Sequence, residues 1–195
     1  VYATQAEADK ANLVNSSMQA YQAGDVRFID QNNDGRIDIK DRISLGSAAP
    51  DYFGGFYTNF RYRHFALSAE FAYSKGNKAY NAVRRTLESA SSFSNQSVAV
   101  SNRWSVEGQV TDMPRATFGD AIGNNNFSSR WIEDASYLRI KNITLSYNFD
   151  KPIWNFFRSG TIYVTGENLL TATKYLGLDP EFAYSSSDNA TQGFD

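Results

Sequence analysis

The 195-residue chain contains no cysteine, which excludes a disulfide framework, a thiolate zinc site and a cysteine nucleophile. Proline is scarce, at 4 residues, while 42% of the chain is hydrophobic. That combination points to folded structure rather than disorder. No apolar run approaches the roughly 18 residues a membrane helix requires. Neither charge sign dominates: 19 Lys and Arg stand against 21 Asp and Glu, for a net charge of −2 and a pI near 5.5. A nucleic-acid partner held by bulk charge is excluded, because phosphate binding needs a dense basic surface. The chain opens on Val1 rather than Met, and no signal peptide or basic targeting stretch follows. It reads as a piece of something longer, with length for one large domain or two small ones.

Aromatic residues are abundant instead: 14 Phe, 12 Tyr and 3 Trp make up 15% of the chain. Mean hydropathy is nevertheless −0.49. Strands with one apolar and one wet face produce that pairing.

Near the start, Thr4-Gln5-Ala6-Glu7 matches a capping box and predicts a short helix through about Val14. The segment Asp30-Gln31-Asn32-Asn33-Asp34-Gly35-Arg36-Ile37-Asp38-Ile39-Lys40-Asp41 has the spacing of an EF-hand-type calcium loop. Side-chain oxygens of Asp30, Asn32, Asp34, Asp38 and Asp41 fall at loop positions 1, 3, 5, 9 and 12, with the Arg36 carbonyl at position 7. Gly35 permits the sharp turn. Asp41 departs from the pattern, since a longer Glu ordinarily supplies two oxygens there, and no convincing helix flanks the loop. The alternative is a glycine-containing turn held by Asx hydrogen bonds.

From Gly54 the period becomes two. Phe56, Thr58, Phe60 and Tyr62 share one face and Tyr57, Asn59, Arg61 and Arg63 the other. Beyond a tight turn at Arg63-His64, Phe65, Leu67, Ala69, Phe71 and Tyr73 alternate with Ala66, Ser68, Glu70, Ala72 and Ser74. Strands of about 9 to 10 residues suffice to cross a bilayer when tilted. Residues 77–90 predict a helix with Tyr80, Val83 and Leu87 on one side. The stretch 108–129, with Asn124-Asn125-Asn126, predicts a long polar loop. Leu138 and Ile140 are out of phase with Ile143, Leu145, Tyr147 and Phe149, so a β-bulge near Lys141-Asn142 is required to keep them on one face. Lys151-Pro152 ends that strand, an aromatic-rich turn follows at 153–158, and residues 161–169 predict the next strand.

Taken in order, several strings resemble the SusC/RagA-type TonB-linked outer-membrane transporters. They begin with Gly24-Asp25-Val26-Arg27-Phe28-Ile29-Asp30 running into the Asp30–Asp41 loop and Arg42, then Gly46 with Pro50-Asp51-Tyr52-Phe53-Gly54-Gly55. Trp104, Pro114-Arg115 and Glu133-Asp134-Ala135-Ser136-Tyr137-Leu138-Arg139-Ile140-Lys141-Asn142 follow. Gly166-Glu167-Asn168-Leu169-Leu170-Thr171 and Lys174-Tyr175-Leu176-Gly177-Leu178-Asp179-Pro180-Glu181 complete the series. The resemblance implies a mainly β fold: antiparallel strands from the C-terminal part of a large transmembrane β-barrel, with long extracellular loops carrying short helices. It implies that residues 1–195 are a C-terminal barrel segment without the plug, the N-terminal barrel strands or the last strand.

By the same resemblance, the parent takes up oligosaccharides or peptides across the outer membrane of a Gram-negative bacterium. Its partners are a SusD-like surface lipoprotein, TonB and outer-membrane lipid. Strands at about 54–63, 65–74, 136–149 and 160–169 would span the membrane. Phe56, Phe60, Tyr62, Phe65, Leu67, Phe71 and Tyr73 would face lipid, while Asn59, Arg61, Arg63, Ser68 and Glu70 would face the lumen. Turns at 63–64 and 150–159 would be periplasmic, and segments 1–50, 75–135 and 170–195 extracellular.

No catalytic constellation emerges. His64, the single histidine, sits at a predicted turn without an orienting partner. Glu70, Glu88, Glu107, Glu133, Glu167 and Glu181 show no spacing that marks a glycosidase pair. Phe93, Trp104, Phe118, Phe127 and Tyr184 could stack on sugars or pack against one another. The alternatives to a transporter segment are a soluble β-rich carbohydrate- or calcium-binding module, with sheet packed on sheet, and a glycan-processing enzyme.

Overall fold

A computed structural model describes residues 1–150 and 158–181. The chain divides into two compact units, Val1–Leu45 with Asn81–Ile132, and Gly46–Tyr80 with Glu133 onward.

In the first unit, helix α1 (Gln5–Ala11) starts as the capping box predicts, with Thr4 Oγ1 accepting the Glu7 amide at 3.3 Å. The reciprocal contact reaches one residue further back, where Glu7 Oε2 accepts the Ala3 amide at 2.9 Å. The helix ends earlier than expected. Asn12 adopts a left-handed C-cap with φ 50°, which frees Val14 for strand β1 (Val14–Asn15), parallel to β2 (Arg36–Ile37). Tyr2, Ala8, Tyr21 and Ile122 form a small core, flanked by Leu13, Phe28 and Ile37.

Beside that core lies a buried polar knot. Asp25 is fully buried and receives Arg115 twice, Nε to Oδ1 at 2.8 Å and Nη2 to Oδ2 at 3.1 Å. Asn124 Nδ2 and the Gln22 amide complete its shell at 3.0 and 2.9 Å. Gly24, at φ 85°, lies so close to the Trp104 ring that a Cβ would stand 2.5 Å from it. Glycine is therefore required twice over, by conformation and by space.

The asparagine run is not the solvated loop that its polarity predicts. Asn124 and Asn125 are buried. Asp120 accepts both their amides, and their side chains bond inward to Val26, Asp25 and Ser89. Burial is tolerated because both side-chain amides donate, to the Asp25 carboxylate and the Ser89 carbonyl, although the Asn125 Oδ1 accepts from no described group. The helix expected over 77–90 is shorter, α2 (Ala82–Glu88), starting where the buried Asn81 side chain accepts the Arg84 amide at 2.7 Å. Trp131 is fully buried, with Arg130 over its ring at 4.7 Å.

The second unit is dominated by one antiparallel sheet. Strands β3 (Tyr52–Tyr62) and β4 (Phe65–Lys75) form a hairpin. Short strands β5 (Lys78–Tyr80) and β6 (Ile132–Asp134) pair separately, so the first residues of the expected helix are extended. Strands β7 (Tyr137–Phe149) and β8 (Gly160–Thr173) complete the large sheet in the order β3-β4-β7-β8. Segment 174–181 returns to place Tyr175 in a small cluster with Ala79 and Ala135. The residues expected to end the strand at Lys151-Pro152 and to turn at 153–157 lie outside the described residues, as does 182–195.

Candidate functional site

The four-stranded sheet has two chemically distinct faces, because its register keeps like beside like. Along β3 and β4, Phe56 opposes Phe71, Thr58 opposes Ala69, Phe60 opposes Leu67 and Tyr62 opposes Phe65. The same face continues across β4 to β7, where Phe65 meets Tyr147, Leu67 meets Leu145, Ala69 meets Ile143 and Tyr73 meets Leu138. On β8 it carries Ile162, Val164 and Leu170. Stacking of Phe56 on Phe71, with centroids 4.4 Å apart, adds about 0.5–1.5 kcal/mol beyond area burial.

This apolar face is left uncovered by the described residues. Phe60 is 65% exposed, Leu145 51% and Val164 73%. No second sheet lies on it among the described residues, so the packing of a soluble sandwich is not what this sheet adopts. Exposure on this scale marks a surface meant for lipid or a partner.

The bulge that the phase change requires is present. Pairing jumps between Glu70 with Asn142 and Phe71 with Ile140, leaving Lys141 as the extra residue. Toward β8 the slip is matched at Asn168 and Leu169, with Asn168 at φ 50°. That compensation extends β8 four residues past its expected end at 169, so Leu170 rejoins the apolar face.

The opposite face is a polar ladder: Asn59 beside Ser68 beside Thr144, then Glu70 beside Asn142 beside Glu167. Thr144 Oγ1 lies 2.9 Å from Thr165 Oγ1. Arg139, its side chain nearly buried, reaches Thr171 Oγ1 at 2.9 Å and binds Asp179 and Glu181 of the returning segment. Lys141, released by the bulge, donates to Glu181 Oε2 at 2.6 Å. Partial burial works to raise the Asp179 carboxyl, but the Arg139 hydrogen bond and the Glu181 amide leave it below the usual carboxylate range. This anchor was not anticipated from sequence; its signal was two cations at Arg139 and Lys141 facing a later Asp-Pro-Glu. One lumen assignment needs correction. Arg63 is not on β3 but in the two-residue turn, at φ 52°, where it covers the Tyr62 ring.

The Asp30–Asp41 loop closes on itself. Asp30 accepts the amides of Asn33, Asp34 and Gly35 at 2.7, 3.3 and 2.8 Å. Asn32 Oδ1 accepts the Asp34 amide and its Nδ2 donates to Asp34 Oδ2, while Asp34 Oδ1 accepts the Arg36 amide. Arg36 donates to the Ser16 carbonyl from β2. Asp38 and Asp41 form a capping box on the turn Ile39–Asp41, and Asp41 Oδ1 also takes the Gln31 amide at 2.9 Å. The Asp38 amide, with those of Gln31 and Asn32, holds the Asp41 carboxyl below its ordinary value. Among the described residues no group of three or more His, Cys, Asp or Glu is arranged to hold a metal.

The remaining candidates have structural partners. His64 is exposed in its turn, 5.9 Å from the Tyr147 ring. Glu88 pairs with Arg84, Glu107 accepts the Gln5 amide and Glu133 accepts the Leu176 amide. Trp104 packs on Gly24 and donates to the Ala3 carbonyl. Phe93 and Phe118 lean on each other at 5.3 Å while remaining exposed, as does Phe127. Tyr184 lies outside the described residues.

Comparison with known proteins agrees with this architecture. No family model matches the chain. It is 32% identical over 176 residues to TonB-dependent receptor P26 of Formosa agariphila, an alignment covering 88% of this chain and 18% of that protein. It is 30% identical to TonB-dependent receptor SusC of Bacteroides thetaiotaomicron, over 79% of this chain and 15% of SusC. The solved RagAB peptide transporter superposes with a TM-score of 0.63 and 27% identity, over 75% of this chain and 16% of that one. The chain thus spans less than a fifth of the length of the relatives it matches. By sequence and by fold, the chain belongs to the SusC/RagA-type TonB-dependent receptors, as a barrel segment.

Proposed function

We propose that this chain forms part of the wall of an outer-membrane transporter in a Gram-negative bacterium, importing oligosaccharides or peptides with a SusD-like lipoprotein at its mouth and TonB as energy source. The observation that carries this is the sheet with one uncovered apolar face and one hydrogen-bonded polar face. Eleven residues of β4 run about 33 Å, and a tilt of about 40° reduces that to about 25 Å, the height of a barrel's lipid-facing band. The apolar face then contacts acyl chains and the polar ladder lines the lumen. The Arg63–His64 turn is periplasmic, and 1–50 and 75–135 are extracellular. The outer edges of β3 and β8 pair with further strands of the barrel, which removes open edges. The role is conduction and wall-building rather than catalysis, and energy coupling belongs to other parts of the parent.

The test is detergent dependence. The chain should aggregate in plain buffer and recover a sheet-rich circular dichroism spectrum in micelles. A compact monomer in plain buffer, its aromatic rings inaccessible to a soluble quencher, would overturn the assignment.

A second reading concerns calcium at the Asp30–Asp41 loop. Asp30 caps the amides of loop positions 4, 5 and 6, which prefolds the turn such a site uses. Ligation would draw on Asp30, Asn32, Asp34, Asp38, Asp41 and the Arg36 carbonyl, and would compete with the Arg36 and Lys40 amides that Asp34 and Asp38 now accept. Calcium at 100 times its Kd would raise stability by about 2.7 kcal/mol. An unchanged melting temperature on adding calcium after chelation leaves only the turn.

A further inference from the structure

At the end of the sheet opposite the Arg63–His64 turn lies an open cleft of about 460 Å³, within the range of small-molecule sites. Tyr52, Tyr73 and Lys75 line it where the apolar face ends, and Lys174 lines it from the segment after β8. The two tyrosine rings meet edge-on at 6.4 Å. Lys174 faces the cleft from one side, and Lys75 from the other, where its charge also acts on Asp134. The one carboxylate on the wall, Asp134, is already engaged by the Ser136 hydroxyl and amide, which hold it below the usual range, helped by the charges of Lys78 and Lys75. Two lysines against one carboxylate that is itself held by Ser136 leave a net positive wall, which suits an anion. The same wall runs without a break into Tyr73, Phe71 and the rest of the apolar face, so an anion carrying an acyl tail fits better than a free one.

We propose that this cleft binds the phosphate-bearing headgroup of a membrane lipid, with Lys75 and Lys174 taking the phosphate and Tyr52 and Tyr73 seating the boundary between headgroup and acyl chain. Tyrosine and lysine are the side chains that anchor proteins at this depth. The proposal rests on the apolar face being the lipid-facing one. The lipid is thereby held at a fixed position on the wall, beside the ends of all four long strands.

The test is lipid retention by the protein in mixed micelles, measured by native mass spectrometry with phosphatidic acid or phosphatidylcholine as the probe. The expected result is preferential retention of phosphatidic acid. A basic residue at a charged lipid surface contributes about fivefold, so Lys75→Gln or Lys174→Gln should each lose about that and the double variant about thirtyfold. Lys75→Arg should retain most of the preference, and circular dichroism checks that each variant keeps its sheet. Equal retention of both lipids, or a folded double variant with undiminished preference, overturns the proposal. Retention abolished by millimolar inorganic phosphate, with inorganic phosphate bound as well as the lipid, assigns the cleft to a free anion and overturns the headgroup. In each of these outcomes the protein still needs detergent, which separates failure here from failure of the barrel assignment.

Discussion

Ile143 and Ser68 sit at the same level of the sheet on opposite faces. Ile143 lies between Ala69 and Gly166 on the apolar side, four residues from each aromatic end of β4 at Phe65 and Tyr73. Ser68 lies between Asn59 and Thr144 on the polar side. An arginine at Ile143 would be placed at the centre of the lipid-facing band, where such a charge costs about 2–4 kcal/mol in a barrel. Leu169 reaches over Gly166 beside this position, so Ile143→Met serves as the control for steric cost. An arginine at Ser68 would enter the hydrated ladder, where a surface-type change costs within about 0.5 kcal/mol. The difference, about 1.5–4 kcal/mol, corresponds to about 12- to 700-fold in the folding equilibrium. Urea titration of folding into phospholipid vesicles, followed by tryptophan fluorescence, measures both. Equal costs, or a larger cost at Ser68, would falsify the assignment of faces.

Two further outcomes follow from the polar knots of the first unit. Arg115→Ala leaves the fully buried Asp25 carboxylate with only Asn124 and the Gln22 amide as donors, and should cost about 3–5 kcal/mol; a loss under about 1 kcal/mol in thermal unfolding would show that the pair is not structural. The Asp41 carboxyl lies below its ordinary value, so its contribution is complete above about pH 4 and is lost as pH falls through that depressed value. Asp41→Asn should therefore loosen the loop at neutral pH as acid does in the natural protein, seen as faster hydrogen exchange at the Gln31 and Asp38 amides; unchanged exchange would mean that Asp41 does not hold the loop.

How much of this was legible in the sequence depended on the range of the interactions involved. The hairpin at Arg63-His64 and the two faces were visible because a period of two is local, and one buried or lipid-facing side fixes the register. The bulge was visible for the same reason: Leu138 and Ile140 could share a face with Ile143 and Leu145 only if one residue were skipped. The mistakes fell where a distant partner overrode local preference. Residues 78–80 have helical spacing, yet they pair with residues 132–134 more than 50 positions away. Asn124 and Asn125 look like loop residues, yet the Val26 amide, the Asp25 carboxylate and the Ser89 carbonyl that they satisfy lie elsewhere in the sequence.

Lys141 shows how the two levels meet in one residue. An inserted residue on a strand is expected to disturb the ladder, and on the lipid-facing side a lysine would be costly. Here the insertion turns Lys141 toward the polar side, where it joins Arg139 on Glu181. The bulge therefore performs two tasks at once. It returns Ile143, Leu145 and Tyr147 to the apolar face, and it supplies a second cation to pin segment 174–181 over the ladder. Deleting Lys141 would separate the two, because Ile140, Ile143 and Leu145 would then alternate regularly on the apolar face without a bulge, while Arg139 held Glu181 alone. The expected outcome is a variant whose sheet still enters micelles but whose segment 174–181 exchanges amide hydrogens faster; loss of the sheet itself would show that the bulge is needed for the faces.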